Sequence, residues 1–297
     1  MFPRFLFVAL NVHAAGKRQL SPCEYCQYLK FNSLNLEKPL MKFLISPRLL
    51  LAAFAALFLV SCDDEKETFV TDNVNDYRPA AVGKYITYRL DSMVFTNFGR
   101  DVEIRKYQVK HVVDAQITDN EGRPAYRIFT YLSDSTGTQP WQPGKTYTVT
   151  PLSDQVEVFG EDNRRYIKLH MPVKNNFTWK GNKFVPDNTY NPLYPFSNDD
   201  NMQDWDFYYD GEPGTFNYRG NNYSNVLTVE QIDESLNVPI TSPTSYASKS
   251  RSIERYSKNI GLIYKEYELW EYQPNTGNPA GPYKVGFGIT MWMIDHN

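Results

Sequence analysis

The feature that most constrains the fold of this chain is an alternation of apolar and other side chains with a period of two. In residues 107–117 the odd-numbered positions carry five apolar side chains and His111, and most even-numbered positions are polar. Because successive side chains of a strand point to opposite sides, this pattern predicts a strand with one buried face. We expect His111 to be a hydrogen-bonded histidine of the core or its rim. Turn residues at 119–122 and a second alternating segment at 125–132 complete a predicted hairpin.

The same pattern recurs along the chain, and no segment has the periodicity of a long amphipathic helix. Ten strands are predicted, at residues 84–91, 107–117, 125–132, 146–150, 155–159, 164–171, 226–232, 252–257, 262–272 and 283–294. Short connections favour antiparallel pairing. The predicted fold class is therefore all-β, a single antiparallel curved sheet or barrel-like domain of half-barrel or lipocalin-like type, with a sandwich as the alternative. Gly286 and Gly288 in the last segment predict sharp curvature or a close backbone approach.

Residues 184–222, here called the insertion, interrupt the strand pattern with a long segment rich in Asn, Asp, Pro and Tyr. Connections longer than about 12–15 residues are uncommon unless they are functional or disordered, and the many aromatic residues argue against disorder. We expect the insertion to pack over the sheet and cover an open end. Tyr and Trp provide large contact areas with few torsions to freeze, so Trp205, Tyr208 and Tyr209 are the candidate residues of an exposed binding patch.

An apolar run at residues 49–60 lies near a basic residue, Arg48, and ends close to a cysteine. Twelve residues are too few to span a bilayer, which requires about 20, but they match the apolar region of a secretory signal peptide. The residues Leu59, Val60, Ser61 and Cys62 resemble the lipobox of bacterial prolipoproteins. That resemblance implies cleavage before Cys62 and a diacylglyceryl group on its sulfur, which would anchor the protein in the cell envelope. We expect the outer membrane, with the periplasmic and the surface face both open.

The position of this signal divides the chain into four predicted parts. Met41 offers a second start, so residues 1–40, which contain an isolated C-x-x-C, are predicted to be an over-extended start and residues 41–61 the signal peptide. Residues 62–79 are predicted to be an acidic flexible tether and residues 80–297 the β-rich domain. The acidic run at 63–67 resembles surface-export signals, whereas an Asp directly after the cysteine resembles an inner-membrane retention signal, and both remain open.

Charge and motif content exclude several classes of function. Residues 1–61 hold seven basic and two acidic residues, which leaves 24 basic and 32 acidic residues in the remainder. An acidic body repels phosphate backbones, so no nucleic-acid partner is expected. After Cys62 the chain has three scattered histidines and no cysteine, no nucleotide-binding motif and no G-x-S-x-G, and the Asp-rich part of the insertion lacks EF-hand spacing. We predict no metal, no cofactor and no catalytic residues.

Two stretches of the predicted domain resemble known sequences. Residues 82–88 (VGKYITY) and 256–266 (YSKNIGLIYKE) are similar to segments of uncharacterised β-rich bacterial lipoproteins. Some of those have a curved antiparallel sheet similar to lipoprotein carriers, which implies an apolar concave face here. The leading hypothesis is a lipid-anchored, non-enzymatic envelope protein that binds an apolar ligand or a partner protein. A glycan-binding accessory lipoprotein and a hydrolase with an unrecognised site are the alternatives.

Overall fold

In the described part of the chain, β-strands are the main secondary structure and helix is nearly absent. The computed structural model describes residues 72–160, 163–274 and 281–297, so the predicted lipidation site Cys62 and the segments 1–40 and 41–61 lie outside the described residues. The strands are β1 (Tyr85–Thr96), β2 (Asp101–Thr118), β3 (Pro124–Asp134), β4 (Gln142–Pro151), β5 (Gln155–Phe159), β6 (Arg165–His170), β7 (Thr178–Trp179), β8 (Phe207–Tyr209), β9 (Gly214–Tyr218), β10 (Asn221–Leu236), β11 (Ala247–Ser257), β12 (Gly261–Gln273) and β13 (Tyr283–His296). Two 3₁₀ helices are present at Val74–Tyr77 and Met202–Asp204. Across the described ranges, no helix has the length and apolar character needed to cross a membrane.

The all-β prediction is confirmed, and the strands form one antiparallel sheet rather than a sandwich. Each of the ten predicted segments contains a strand, and β5 has the predicted bounds. The three strands that were not predicted, β7, β8 and β9, are two to five residues long. Such short strands carry too few alternating positions to produce a periodic signal, because two or three side chains per face are not a pattern.

The sheet is nearly closed into a barrel. Its strand order is β6-β5-β4-β3-β2-β1-β13-β12-β11-β10-β8-β7, with β9 paired to β10 outside this path, so β6 and β7 are the two edges. The edges meet at Ile167 of β6, whose backbone N–H donates to the carbonyl oxygen of Gly181 over 2.8 Å. The indole N–H of Trp179 in β7 donates to the carbonyl oxygen of Ile167 over 2.9 Å. These bonds cover backbone groups that an open edge would leave unpaired.

The core lies between the walls of this barrel and is unusually rich in tyrosine. The largest fully buried side chains are those of Tyr77, Tyr88, Tyr209, Tyr256, Phe207, Ile167, Leu169, Met202, Leu227, Ile253, Ile263 and Leu269. Burying each apolar side chain of this size stabilises the fold by about 1.5–3 kcal/mol. The buried tyrosines keep their hydroxyl groups hydrogen-bonded; Tyr88, for example, donates to the carbonyl oxygen of Leu262 over 3.0 Å.

Glycine in β13 permits the close approach that the sequence predicted. Gly286 has a φ of +123°, and a Cβ atom at this position would lie 2.2 Å from the carbonyl oxygen of Leu269 in β12. A Cβ at Gly288 would lie 2.8 Å from the side chain of Met93 in β1. At Gly286 a larger residue would force β12 and β13 apart, because the nearest atoms belong to the backbone, whereas at Gly288 the flexible side chain of Met93 could move aside.

The end of the predicted tether is part of the folded domain. From Asp72 the chain packs across one end of the barrel, where Val74 and Tyr77 are fully buried. The side-chain amide of Asn75 donates to the carbonyl oxygen of Leu152 over 2.9 Å. The backbone N–H of Asn259 donates to the carbonyl oxygen of Asp76 over 2.7 Å. The predicted boundary between the tether and the domain, at residue 79, is therefore wrong for residues 72–79. The apolar side chains of Val74 and Tyr77 dock this otherwise polar segment against the core.

The insertion enters the opposite end of the barrel. Its Tyr190 ring lies 5.2 Å from the ring of Phe287 in β13, and the hydroxyl groups of Tyr190 and Tyr267 in β12 are 3.0 Å apart. The backbone N–H and the hydroxyl of Ser197 both donate to Glu271 of β12, over 2.6 and 2.7 Å. The insertion is less irregular than predicted, because it contains β8, β9 and the first residues of β10.

Candidate functional site

A cavity of about 270 Å³ lies inside the barrel at the end where β1 begins. It is here called the pocket. The chain segment that precedes β1 forms part of its wall through Arg78, Pro79 and Ala80. The other lining residues are Lys84, Tyr85, Ile86, Tyr88, His111, Val113, Ile128, Tyr147, Val149, Val158, Gly160, Lys168, Glu254, Ile260, Gly261, Leu262, Lys265 and Met291.

Most of the surface of the wall is apolar. Each of the first five strands contributes at least one apolar residue, and β12 and β13 contribute two more: Ile86, Val113, Ile128, Val149, Val158, Leu262 and Met291. Strand alternation explains this composition, since every second side chain points into the barrel. Such a wall offers no hydrogen bonds, so it favours hydrocarbon over water.

Charged residues form one region of the same cavity. Glu254 of β11 is buried and accepts from Lys168 of β6 over 3.0 Å and from Lys265 of β12 over 3.1 Å. The hydroxyl of Tyr256 donates to the other oxygen of Glu254 over 2.6 Å. Lys168, Glu254 and Lys265 are here called the ion triad. A carboxylate shared between two ammonium groups and a hydroxyl has its hydrogen-bonding capacity well satisfied, which a buried charge requires.

The ion triad shifts the pKa values of its members. Burial alone would raise the pKa of Glu254, but the ammonium groups of Lys168 and Lys265 hold that pKa well below its ordinary value. Burial lowers the pKa of Lys168 to about 8, although the Glu254 carboxylate opposes this shift. At neutral pH the triad therefore carries two positive charges and one negative charge.

His111 lies beside the ion triad as a neutral histidine. Its Nδ1 atom is 3.0 Å from the hydroxyl of Tyr147, and its ring packs edge-on against Tyr88 with 5.0 Å between ring centres. Burial lowers the pKa of His111 to about 3, and the charges of Arg78 and Lys265 add to the effect. His111 is the hydrogen-bonded core histidine that the sequence predicted, and its imidazole adds no positive charge to the pocket.

Arg78 is the most weakly paired charge of the pocket. Its Nε atom is buried and has no hydrogen-bond partner within the described part of the chain. Its guanidinium carbon lies 5.9 Å from the centre of the Tyr256 ring, and its side chain donates a hydrogen bond to the hydroxyl oxygen of Tyr147. No carboxylate of the described residues pairs with it directly. Arg78 thus presents an unsatisfied donor inside a largely apolar cavity.

The three residues predicted to form an exposed patch lie outside the pocket and do not form a common surface. Tyr209 is fully buried, donates to the carbonyl oxygen of His170 over 2.6 Å and accepts from the His170 N–H over 3.0 Å. Tyr208 donates its hydroxyl to Glu230 of β10. Trp205 packs against the core and is half-buried. The exposed-patch prediction is wrong for Tyr209, because β8 pairs with β10 and alternation sends successive tyrosines to opposite faces.

Sequence reasoning missed the charged residues of the pocket. Arg78 lay inside the predicted tether, and Lys168 and Glu254 looked like ordinary polar positions of short strands. A charged residue on the buried face of a strand could have indicated the site, because Glu254 lies two residues before the buried Tyr256 in β11.

A second cavity, on the side of the β4–β6 strands, is lined mainly by polar residues whose charges are already paired. Its buried Glu157 accepts from Arg165 over 2.7 Å and from Arg123 over 2.9 Å. Within the described ranges there is no group of three or more His, Cys, Asp or Glu side chains that could hold a metal ion.

Comparisons with known proteins give few matches. No protein-family model matches the sequence, and no curated protein matches it. A protein named as exported, with a YmcC-like fold, from Bacteroides fragilis NCTC 9343 is 12% identical with a TM-score of 0.33, over 74% of this chain and 97% of that chain. An outer membrane lipoprotein-sorting protein domain, so named, from Vibrio parahaemolyticus is 12% identical with a TM-score of 0.18, over 73% and 85% of the two chains. A DUF1329 family protein from Desulfovibrio piger ATCC 29098 is 11% identical with a TM-score of 0.17, over 77% and 93%. TM-scores at this level establish neither a shared fold nor a shared function.

Proposed function

We propose that this chain is a non-enzymatic binding protein of the bacterial cell envelope, anchored by lipid on Cys62, which holds an apolar ligand inside its barrel. The observation that carries the proposal is the pocket, whose walls are aliphatic on seven strands. Each methylene group that leaves water for such a wall contributes about 0.8 kcal/mol to binding. A few polar groups in an otherwise apolar cavity fix the orientation of a ligand, which is the usual composition of a small-molecule site.

The position of the pocket fits an anchored protein. Pro79 and Ala80, which precede β1, line the pocket, so the pocket lies at the end of the barrel where β1 begins. Nine residues lie between Cys62 and Asp72, so a fully extended chain would span at most about 36 Å between these two positions. Lipid on Cys62 would therefore keep the pocket close to a bilayer, where apolar ligands are concentrated.

The two alternative functions make different demands on the structure. A glycan site requires coplanar exposed aromatic rings, and Trp205, Tyr208 and Tyr209 do not provide them. A hydrolase site requires two convergent carboxylates or a serine beside a histidine. The described lining of the pocket contains one carboxylate, Glu254, and its histidine, His111, is paired with a tyrosine. Binding of an apolar ligand fits these residues better than either alternative.

Blocking the pocket tests the binding proposal. Val158 lines the pocket from β5, and Val158→Phe would fill part of the cavity. We expect the purified protein to bind a dansyl-labelled undecanoic acid, and Val158→Phe to weaken this binding about tenfold or more. Val102→Phe is the matched control, because Val102 is exposed on β2 and far from the pocket lining. Equal affinity for all three proteins, or no binding by the wild type, would contradict the proposal.

The anchor is tested separately from the ligand. Cells expressing the wild type are grown with labelled palmitate beside cells expressing Cys62→Ala, with Cys26→Ala as the control cysteine. We expect label on the wild type and on Cys26→Ala and none on Cys62→Ala. An unlabelled wild type would remove the proposed anchor and leave the pocket result unaffected.

A further inference from the structure

The pocket carries more positive than negative charge. Its lining includes four cationic side chains, Arg78, Lys84, Lys168 and Lys265, and a single carboxylate, that of Glu254. Two of these cations, Lys168 and Lys265, already share that carboxylate. Because His111 is neutral, the lining has a formal excess of three positive charges.

The two cations outside the ion triad have no acidic partner in the described part of the chain. Lys84 donates to the carbonyl oxygen of Asn259 over 3.2 Å, and burial lowers the pKa of Lys84. Arg78 points into the pocket with a buried Nε atom that no group of the described residues accepts from. Leaving a charged donor without a partner in an apolar cavity costs free energy, unless an anion completes the site when it binds.

Guanidinium groups match oxyanions in geometry as well as charge. The planar fork of N–H donors binds a carboxylate or a phosphate through two parallel hydrogen bonds, and such bonds are about twice as strong as neutral ones. Tyr147 and Tyr256 lie close to Arg78, and other parts of the pocket wall are aliphatic, from Ile128, Val149 and Val158 among others. One ligand that satisfies both parts of the cavity has an oxyanion at one end and hydrocarbon at the other.

We infer that the pocket selects amphipathic ligands with an anionic headgroup, a carboxylate or a phosphate, which pairs with Arg78 while the hydrocarbon lies against the aliphatic strands. This inference rests on the proposed function and adds the chemical class of the ligand. Arg78 is the residue that distinguishes anionic from neutral ligands of equal chain length, and Lys84 adds a second positive charge near the same end of the cavity.

A matched pair of ligands separates the headgroup from the chain. Palmitate and hexadecanol have hydrocarbon chains of equal length and differ in the charge of one end. Their affinities are measured by displacement of the dansyl probe from the wild type, Arg78→Gln and Arg78→Lys. We expect the wild type to prefer palmitate by about tenfold or more. Arg78→Gln should lose this preference, because its affinity for palmitate falls much more than its affinity for hexadecanol, and Arg78→Lys should keep part of it, because the charge remains and the fork is lost.

Two controls keep the result interpretable. Arg219→Gln removes an exposed arginine that lies over Trp292 outside the pocket, so it should retain the full preference for palmitate. Thermal unfolding of Arg78→Gln checks that the variant folds; removing an uncompensated buried charge should not lower the Tm. If the Tm of Arg78→Gln does fall, the headgroup role of Arg78 is judged from Arg78→Lys instead.

Dodecyl phosphate and inorganic phosphate form a further pair of ligands, which distinguishes a lipid headgroup from a free anion.

Each outcome separates this inference from the proposed function. Equal affinity of the wild type for palmitate and hexadecanol would overturn the headgroup assignment and leave apolar binding intact. A preference for palmitate that persists in Arg78→Gln would overturn the role of Arg78. Inorganic phosphate that competes as well as dodecyl phosphate would overturn the amphipathic class, and failure of every ligand with a chain would reject the proposed function itself.

Discussion

The Nζ atom of Lys168 and the Oε1 atom of Glu254 lie 3.0 Å apart, although their strands, β6 and β11, share no backbone hydrogen bonds. The pair therefore spans the interior of the barrel and joins walls that are distant in the order of the sheet. Because β6 is an edge strand, this contact also holds the edge in place at the seam with β7. The ion triad is thus part of the structure that closes the barrel.

The first prediction concerns the contribution of the ion triad to the stability of the fold. Glu254→Gln leaves two ammonium groups buried without a carboxylate, so we expect it to lower the free energy of unfolding by about 3–5 kcal/mol. Lys168→Met leaves Glu254 paired with Lys265 and Tyr256, so its effect should be clearly smaller. Urea unfolding of the three proteins measures both values. A larger loss for Lys168→Met than for Glu254→Gln would contradict this description of the ion triad.

The strands could be predicted because a half-buried strand has alternating apolar and polar residues in its own sequence. In β2 the alternating pattern from Tyr107 to Ile117 covers six positions, and a strand runs through all of them, although a register shift between Val113 and Ala115 interrupts the alternation. Closure of the sheet into a barrel produces no such local pattern. It depends on contacts such as Trp179 with Ile167, where an indole N–H reaches a carbonyl oxygen on a strand that no local pattern connects to it.

The second prediction concerns the pH dependence of stability. His111 has a pKa of about 3 in the folded protein because it is buried, against about 6.5 when the chain is unfolded. Between these values the unfolded chain binds a proton that the folded protein does not, so stability falls as the pH falls below 6.5. From pH 7 to pH 5 we expect this histidine to account for a loss of about 2 kcal/mol.

The replacement His111→Gln removes the group that titrates and keeps a polar side chain beside Tyr147. The free energy of unfolding, measured in urea at pH 7 and at pH 5, should then change less than in the wild type by about that amount. An unchanged difference between the two pH values would show that His111 is protonated in the folded protein, contrary to its position in the pocket.

The third prediction uses two glycines that both have positive φ values. Gly286→Ala places a Cβ 2.2 Å from the carbonyl oxygen of Leu269, whereas Gly122→Ala meets no atom within 4 Å. We expect Gly122→Ala to cost about 1 kcal/mol from backbone strain alone. Gly286→Ala should cost several kcal/mol more, since β12 and β13 must also separate. Similar Tm values for the two variants would show that β13 does not pack as closely as described.

The site was less predictable than the fold for a physical reason. A pocket requires residues from distant parts of the chain to converge, and Lys168 of β6 meets Glu254 of β11 only because the sheet closes. Aromatic residues in a long segment were a reasonable guide to exposure, but Tyr209 shows that a short strand can bury such a residue completely. His111 was the one pocket residue that the pattern itself selected, because a histidine interrupts an apolar face.

The most direct test of ligand binding inside the barrel is photo-crosslinking with a palmitate analogue that carries a diazirine in its chain. After irradiation of the purified protein and proteolysis, mass spectrometry identifies the labelled peptides. Binding in the pocket predicts label on the aliphatic wall, at Ile128, Val149, Val158 or Met291, and loss of that label in Val158→Phe. Label confined to the outer surface, for instance around Phe216 and Tyr218, or label unaffected by Val158→Phe, would contradict an apolar ligand inside the barrel.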